Sequence, residues 1–460
     1  MKKILASGLA SLLATQPAMA IDLVEAYEQA LAYDSGIAAA KASSEAQQAA
    51  INVSRSNLLP NLNAFGRASH TDTESGTTDD SYKAYQYGVE LTQPLFRADA
   101  WFSFEASELQ SESARAEYNL AQQQLILDVA SAYFNVLRAE DNLTTVRASE
   151  TAIERQYEQA QERHEVGLIA ITEVYEARAT YDAIKSDRLR AENSLDIARE
   201  RLARLVGQHT TDLENLNQDF PLAPPEPSSA KAWEDIALQQ NWRIQSAISS
   251  LQAERSRLDA AQAGHYPTLD LSASYTSTDT DGLGTPAVGT SQGGASGDSD
   301  EGVIALSLNV PLYEGHGTQA QIRQQRSLVD VQNQQLNTVR RDVRVNTRSL
   351  LREVNSNIET VQAQRQTIVS RRSALDATRA GYDVGTRNIV EVLDAERNYY
   401  IALRDYANAR YDYVINTLSL KQAAGTLSPQ DLADLNQWLS ASAPGIEALA
   451  NEDKTVDPTQ

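Results

Sequence analysis

No cysteine occurs in this chain. That absence removes disulfides, thiolate metal sites and a lipidated N-terminal thiol together. Long apolar runs are missing too. Mean hydropathy is −0.44, and no later segment offers the roughly 20 apolar residues that a membrane-spanning helix needs. One way into a bilayer remains, a β-barrel, whose alternating strands leave only a weak hydropathy signal. Basic residues are scarce: 40 Lys and Arg stand against 62 Asp and Glu, for a net charge of −22. Nucleic-acid binding needs Lys and Arg to displace counterions and is excluded on that balance. An acidic chain suits a solvated surface, or a lumen that favours cations. The five histidines (His70, His164, His209, His265, His316) are scattered without metal spacing, and neither Gly-x-Ser-x-Gly nor a P-loop occurs. No cofactor is expected. The tyrosines at 399, 400, 406, 411 and 413 read as helix packing rather than as a binding cage.

What is present begins with a targeting signal. Lys2 and Lys3, the apolar stretch Ile4 to Leu13, and Ala18-Met19-Ala20 predict a secretory signal over residues 1–20, cleaved before Ile21. The strongest internal feature is a duplication. The run Val166-Gly167-Leu168-Ile169-Ala170-Ile171-Thr172-Glu173-Val174 recurs 218 positions later as Val384-Gly385-Thr386-Arg387-Asn388-Ile389-Val390-Glu391-Val392. The match continues to Ala177/Ala395 and Tyr181/Tyr399, and Gln93-Pro94-Leu95-Phe96 pairs with Val310-Pro311-Leu312-Tyr313. Two halves follow, 21–207 and 231–425. Each holds a helix, a strand hairpin (about 60–96 and 267–313) and a long helix pair (97–207 and 317–425). Residues 208–230 link them, and 426–460 close the chain.

The strand runs alternate with period two. Tyr85, Tyr87, Val89 and Leu91 share one face; so do Leu269, Leu271, Ala273 and Tyr275, and Ile304, Leu306, Leu308 and Val310. Residues 70–81 and 277–301, rich in Asp, Ser, Thr and Gly, read as long extracellular loops. Two up-and-down hairpins leave every helix connection on one side. Four strands cannot close alone, because small transmembrane barrels take about 8, and an open edge in lipid leaves backbone groups unsatisfied. Two copies would supply eight strands and three would supply twelve; alternation alone does not choose.

The helix from about Asp99 to His164 would span roughly 100 Å. Leu336, Val343 and Leu350 recur every seven residues, and Val354, Val361, Ile368 and Leu375 do so after a four-residue step, a coiled-coil seam with a phase shift.

Several runs are recognisable: Gly381-Tyr382-Asp383-Val384-Gly385-Thr386-Arg387-Asn388-Ile389-Val390-Glu391-Val392-Leu393-Asp394-Ala395, Ala409 to Asn416, Ala424 to Leu427, and Ala132 to Leu137. In these the chain resembles the outer membrane factor family, the TolC-like efflux and secretion channels. The resemblance implies an α+β membrane protein. Three copies would form a homotrimer with a 12-stranded transmembrane β-barrel, four strands per chain, continued by a long periplasmic α-helical coiled-coil barrel. Residues 208–230 and the segment after Ser428 would form an equatorial part, with a disordered tail beyond Ala443. It further implies a periplasmic gate at Thr172, Glu173, Tyr382 and Arg387, with polar links between outer and inner helix pairs. Glu391 and Asp394 would form acidic selectivity rings, where crowding raises some pKa values and multivalent cations block. Val166, Gly167, Leu168, Val384, Gly385 and Thr386 would be the adaptor-docking tips. The implied partners are a periplasmic adaptor (membrane fusion) protein, an inner-membrane pump of the RND, ABC or MFS type, and outer membrane lipid. At Glu173 and Glu391 the family usually has Asp. The competing reading of the residues is a soluble periplasmic coiled-coil adaptor or scaffold.

Overall fold

A computed structural model describes residues 21–75, 78–209, 212–281, 297–443 and 446. The expected signal segment, the centre of the 277–301 loop and nearly all of the C-terminal tail lie outside the described residues. The chain divides into two compact units, one of residues 39–119 and 242–341, the other of the remainder.

The first unit carries four antiparallel strands: β1 (Asn61–Ser75), β2 (Thr78–Phe96), β4 (Thr268–Asp281) and β5 (Gly297–Asn309), in the order β1-β2-β4-β5. Residues directly opposite in an antiparallel sheet share a face, and the register collects the apolar set. Leu62 faces Leu91, Leu91 faces Ala273, and Ala273 faces Ile304. Leu271 lies opposite Leu306, and Leu269 opposite Leu308. A bulge between Pro94 and Phe96 brings Phe96 opposite Leu269 and so back onto this face. Within one chain the face is bare; Ile304 is 82% exposed. The opposite face is polar, with Asn63, Glu90 and Ser274 in one row. There Gly88 admits close strand approach, since a Cβ would come 2.4 Å from the Tyr275 carbonyl oxygen. At the helix-connected end, the Arg97 guanidinium forks onto Asp270 at 2.8 and 3.2 Å and pins the two hairpins together. Outer tyrosines 85, 87 and 275 and, near the other end, Phe96, Trp101, Tyr266 and Tyr313 are all exposed.

The strands run further than expected. Thr71 pairs with Tyr82 and Ser75 with Thr78, so most of 70–81 is ladder rather than loop. Thr-rich sequence suits a pleated strand even where neither face is apolar.

The helices are divided between the two units. Here α1 (Leu23–Tyr33) and α2 (Ser35–Ser56) are separate helices where one was expected, because Asp34 ends the first and its carboxylate accepts the Ile37 N–H at 2.9 Å to start the second. The same break divides α5 (Ala230–Gln240) from α6 (Trp242–Ala263), with the Asn241 side chain donating to the Ala423 carbonyl at 2.8 Å. Helices α3 (Ala98–Glu165) and α4 (Ile171–Val206) form one long pair, and α7 (Gly317–Asp383) and α8 (Ile389–Ala424) another. Arg188 and Arg199 of α4 reach Glu150 and Glu140 of α3 at 2.7 and 2.8 Å. A two-stranded sheet of β3 (Asn215–Leu216) and β6 (Leu439–Ser440), with α9 (Pro429–Asn436), packs beside α1.

The α7 seam departs from the expected phase. Leu336, Val343, Thr347, Leu351, Val354, Ile358, Val361, Ile368 and Leu375 are buried, and Leu350 is only half-buried. The steps between Val343 and Val354 run four, four and three, an eleven-residue stutter. Thr347 fills the extra core slot because its hydroxyl donates to the Val343 carbonyl at 2.8 Å.

Candidate functional site

Both helix pairs turn at a Val-Gly step, and the two turns are built alike. Gly167 and Gly385 each have φ of +78°, a left-handed conformation that glycine takes without strain. At the first turn Leu168 N–H donates to Arg163 O and Gly167 N–H to His164 O, both at 2.8 Å. At the second, Thr386 donates to Gly381 O at 2.8 Å and Gly385 to Tyr382 O at 3.0 Å. Each pattern is a Schellman cap that satisfies the last carbonyls of its long helix. The turns project bare apolar side chains: Val166, Leu168 and Val384 are 71%, 69% and 75% exposed.

After the turns the two repeats differ. Helix α8 starts with a capping box: Asn388 Oδ1 accepts from Glu391 N–H at 3.0 Å, and Glu391 Oε1 accepts from Asn388 N–H. Helix α4 has Ala170 at that position and no side-chain cap. An Asn three residues before a Glu is the sequence signature of such a box.

Of the expected polar links, the chain forms a different set. Arg387 pairs with Glu391, one turn along on its own side of the inner pair. Among the described residues no hydrogen bond or ion pair joins it to Thr172 or Glu173. The Arg387 hydrogen bond, followed by the Asn388 N–H, holds the Glu391 carboxyl below its ordinary range. The expected rise belongs to rings made by three copies, and within one chain the nearest charge is the Arg387 cation. Asp394 lies 3.6 Å from Arg397 and is exposed.

Tyr382 is buried in a core shared by both helix pairs: Ile153 and Ala160 from α3, Val174, Ala177 and Ile184 from α4, and Ile389, Val392 and Leu393 from α8. Its ring lies under the Arg163 guanidinium, 4.7 Å from carbon to centroid. Deeper along the inner pair, fully buried Glu396 pairs with Arg379; burial pushes its carboxyl up and Arg379 opposes the rise. Neither Arg163 nor this pair was singled out from the sequence. The repeat offset sets Arg163 against Gly381, so the duplication holds no second copy to mark it. Among the described residues no group of three or more His, Asp or Glu is arranged to hold a metal.

Two duplicated hairpins and two matched turns therefore share one chain. The model of the outer membrane efflux protein family matches residues 26–208 and 233–426. The chain belongs to that family. Outer membrane protein TolC of Vibrio cholerae serotype O1 is 36% identical over 444 residues, 96% of this chain and all of that protein. Alkaline protease secretion protein AprF of Pseudomonas aeruginosa is 28% identical over 435 residues, 92% of this chain and 88% of that one. Among solved structures, a CusC structure described in terms of transmembrane channel formation superposes with a TM-score of 0.77, covering 90% of this chain and 95% of CusC. At 19% identity that likeness speaks for the fold alone. As an outer membrane efflux protein the chain is an outer membrane channel protein with a periplasmic extension, and the soluble scaffold reading falls.

Proposed function

We propose that this outer membrane efflux protein is the passive exit conduit of a tripartite efflux pump or a type I secretion system, without enzymatic activity of its own. The observation that carries the reading is the sheet, whose apolar face is bare and whose two edge strands, β1 and β5, each lack a partner on one side among the described residues. Lipid suits that face, and further copies of the chain suit those edges. Family membership favours three copies and a 12-stranded barrel. The names TolC and AprF motivate both cargo classes, small molecules and proteins.

The gate is assigned to Thr172, Glu173, Tyr382 and Arg387, and the acidic rings to Glu391 and Asp394. The tips Val166 to Leu168 and Val384 to Thr386 are assigned to a periplasmic adaptor, with an inner-membrane pump supplying energy. Exposed apolar side chains at both turns support that docking role. An exposed ion pair is worth only about 0–1 kcal/mol, so a shut state built from a few such links suits opening by a partner.

Single-channel conductance in planar bilayers tests this. The reconstituted protein should conduct cations weakly, and Arg387→Ala should raise conductance; an unchanged value removes Arg387 from the gate. Glu391→Ala combined with Asp394→Ala should weaken cation preference and block by multivalent cations. Selectivity that survives both changes places the rings elsewhere.

A further inference from the structure

Away from the turns, a cavity lies beside the last third of α8, wholly within one of the two units. Phe220 follows β3 and Trp438 directly precedes β6. The small sheet fixes both, with Asn217 N–H donating to the Trp438 carbonyl at 2.8 Å. Tyr413 of α8 completes the set. Its hydroxyl donates to the Ala223 carbonyl at 2.8 Å and accepts the Ala223 N–H at 3.2 Å, so the ring is anchored at its far end. The Phe220 ring stands 6.0 Å from each of the other two, at 62° to Tyr413 and 83° to Trp438. These three rings wall a cavity of about 190 Å³, with Val414 and Leu418 of α8 and Leu435 of α9 adding an apolar lining. A cavity of about 150 Å³ admits benzene, so a small organic molecule has room here. Tyr413, which the sequence alone assigns to helix packing, is also a wall.

The charges around the cavity do not balance. Lys421 and Asp431 offset each other at 2.5 Å, and the same carboxylate accepts the Ser428 N–H at 2.8 Å in the capping box of α9. Asp434, on the next turn of α9, is exposed and accepts from the neutral Gln430 amide at 3.0 Å. It forms no ion pair among the described residues, so one negative charge is left over. Elsewhere Tyr382, Tyr399 and Tyr406 each have an arginine over the ring. Among the described residues no Lys or Arg lies over the rings of Phe220, Tyr413 or Trp438. Aromatic faces are electron-rich and attract cations, and several rings around one site suit an ammonium whose carbon substituents leave it few hydrogen bonds to make. An anion would meet ring faces and a spare carboxylate, with Lys421 already engaged.

We propose that this cavity binds a small organic ammonium, with Phe220, Tyr413 and Trp438 as its cage and Asp434 as the charge at its mouth. The rings face the positive nitrogen, and the apolar lining takes the carbon groups around it. A methylated ammonium suits the site better than a bare one, whose lost hydration the rings do not replace. The site does not depend on the gate reading, because the turn at Gly385 lies at the opposite end of α8.

Fluorine spectra of the full-length protein labelled with fluorotryptophan test this. The chain has four tryptophans, and the signal lost in Trp438→Phe is the one that reports on the cage. The probes are choline, the uncharged alcohol in which carbon replaces its nitrogen, and the anion benzoate. Choline should move the Trp438 signal saturably, with a Kd on the order of 1 mM, and leave the other signals in place. The uncharged alcohol should bind about tenfold more weakly. Phe220→Leu should raise the choline Kd roughly fivefold, whereas Phe220→Tyr keeps the ring and should bind as the parent does. Asp434→Asn should raise it about twofold to fivefold. Heat-dependent migration of each oligomer in detergent gels shows that the variants compared are folded. A Trp438 signal that choline does not move overturns the proposal and leaves the rings as packing. Equal binding of the uncharged alcohol overturns it in favour of a plain apolar pocket, and a preference for benzoate overturns it in favour of an anion site at Lys421. Parental choline affinity in Phe220→Leu removes the cage.

Discussion

Asp141 of α3 accepts a hydrogen bond from the Tyr411 hydroxyl of α8 at 2.7 Å. Burial pushes its carboxyl up to about 6; Tyr411 and Arg410 pull it down, and Glu140 adds to the rise. A carboxyl raised on folding contributes stability that is fully present below its unfolded value of about 3.9 and is lost as pH climbs through the folded value. Asp141→Asn keeps an acceptor for Tyr411 and has no charge to bury. Its gain over the parent should be near zero at pH 4 and grow to at most about 3 kcal/mol above pH 6. Thermal unfolding followed by circular dichroism at pH 4 to 7 checks this, and a gain equal at every pH assigns the effect to something other than the charge. At this scale the sequence is read unevenly. The tip turns are legible because a duplicated Val-Gly step with a helix on each side needs a left-handed glycine. The Arg387–Glu391 pair is legible too, since residues four apart share a helix face; the family likeness drew attention to a partner on the other helix pair instead. The Arg163–Tyr382 stack joins residues more than two hundred positions apart, with no repeat to announce it.

Elements were legible where a period dominates. Alternation finds the two hairpins because a strand with one apolar face must repeat every second residue. It stops too early at both outer ends, where Thr71, Thr73 and their partners still pair but neither face is apolar. The α7 seam shows the opposite limit. Heptad counting locates the phase shift but puts Leu350 in the core, whereas a stutter of four, four and three buries Thr347 and Leu351. A hydroxyl in a core position is invisible to an apolar count, and it is tolerated because Thr347 donates to its own helix. Glu234 of α5 was missed for the same reason. It is 3% exposed and ion-paired with Arg344 and Arg348 of α7, with Lys231 at 3.8 Å. Desolvation alone would raise its carboxyl, but Arg348, Lys231 and Arg344 outweigh burial and hold it below the ordinary range. An acidic residue can be a core residue when three cations come to it, and only the packing reveals that they do.

For the whole molecule, the decisive feature is a sheet that is complete in register and incomplete in surroundings. Ile304 and Leu306 lie mid-strand on the bare apolar face, and Ser307 points to the polar one. If the sheet were half of a soluble sandwich, its apolar face would be buried against a second sheet and the folded chain would stay out of the membrane fraction. In a bilayer the faces are unequal. An arginine on the lipid face near the midplane costs roughly 2–4 kcal/mol, repeated in every copy around the ring, whereas one on the lumen face meets water. Ile304→Arg, alone or with Leu306→Arg, should therefore strip the protein from the detergent-soluble outer membrane fraction and leave unassembled chain in the periplasm. Ser307→Arg should still assemble, with cation conductance lowered by the added charge. Immunoblots of fractionated cells beside crosslinked oligomer counts measure both. Equal membrane recovery of the Ile304 and Ser307 variants would mean that the apolar face does not meet lipid, and the four strands would then need a different closure.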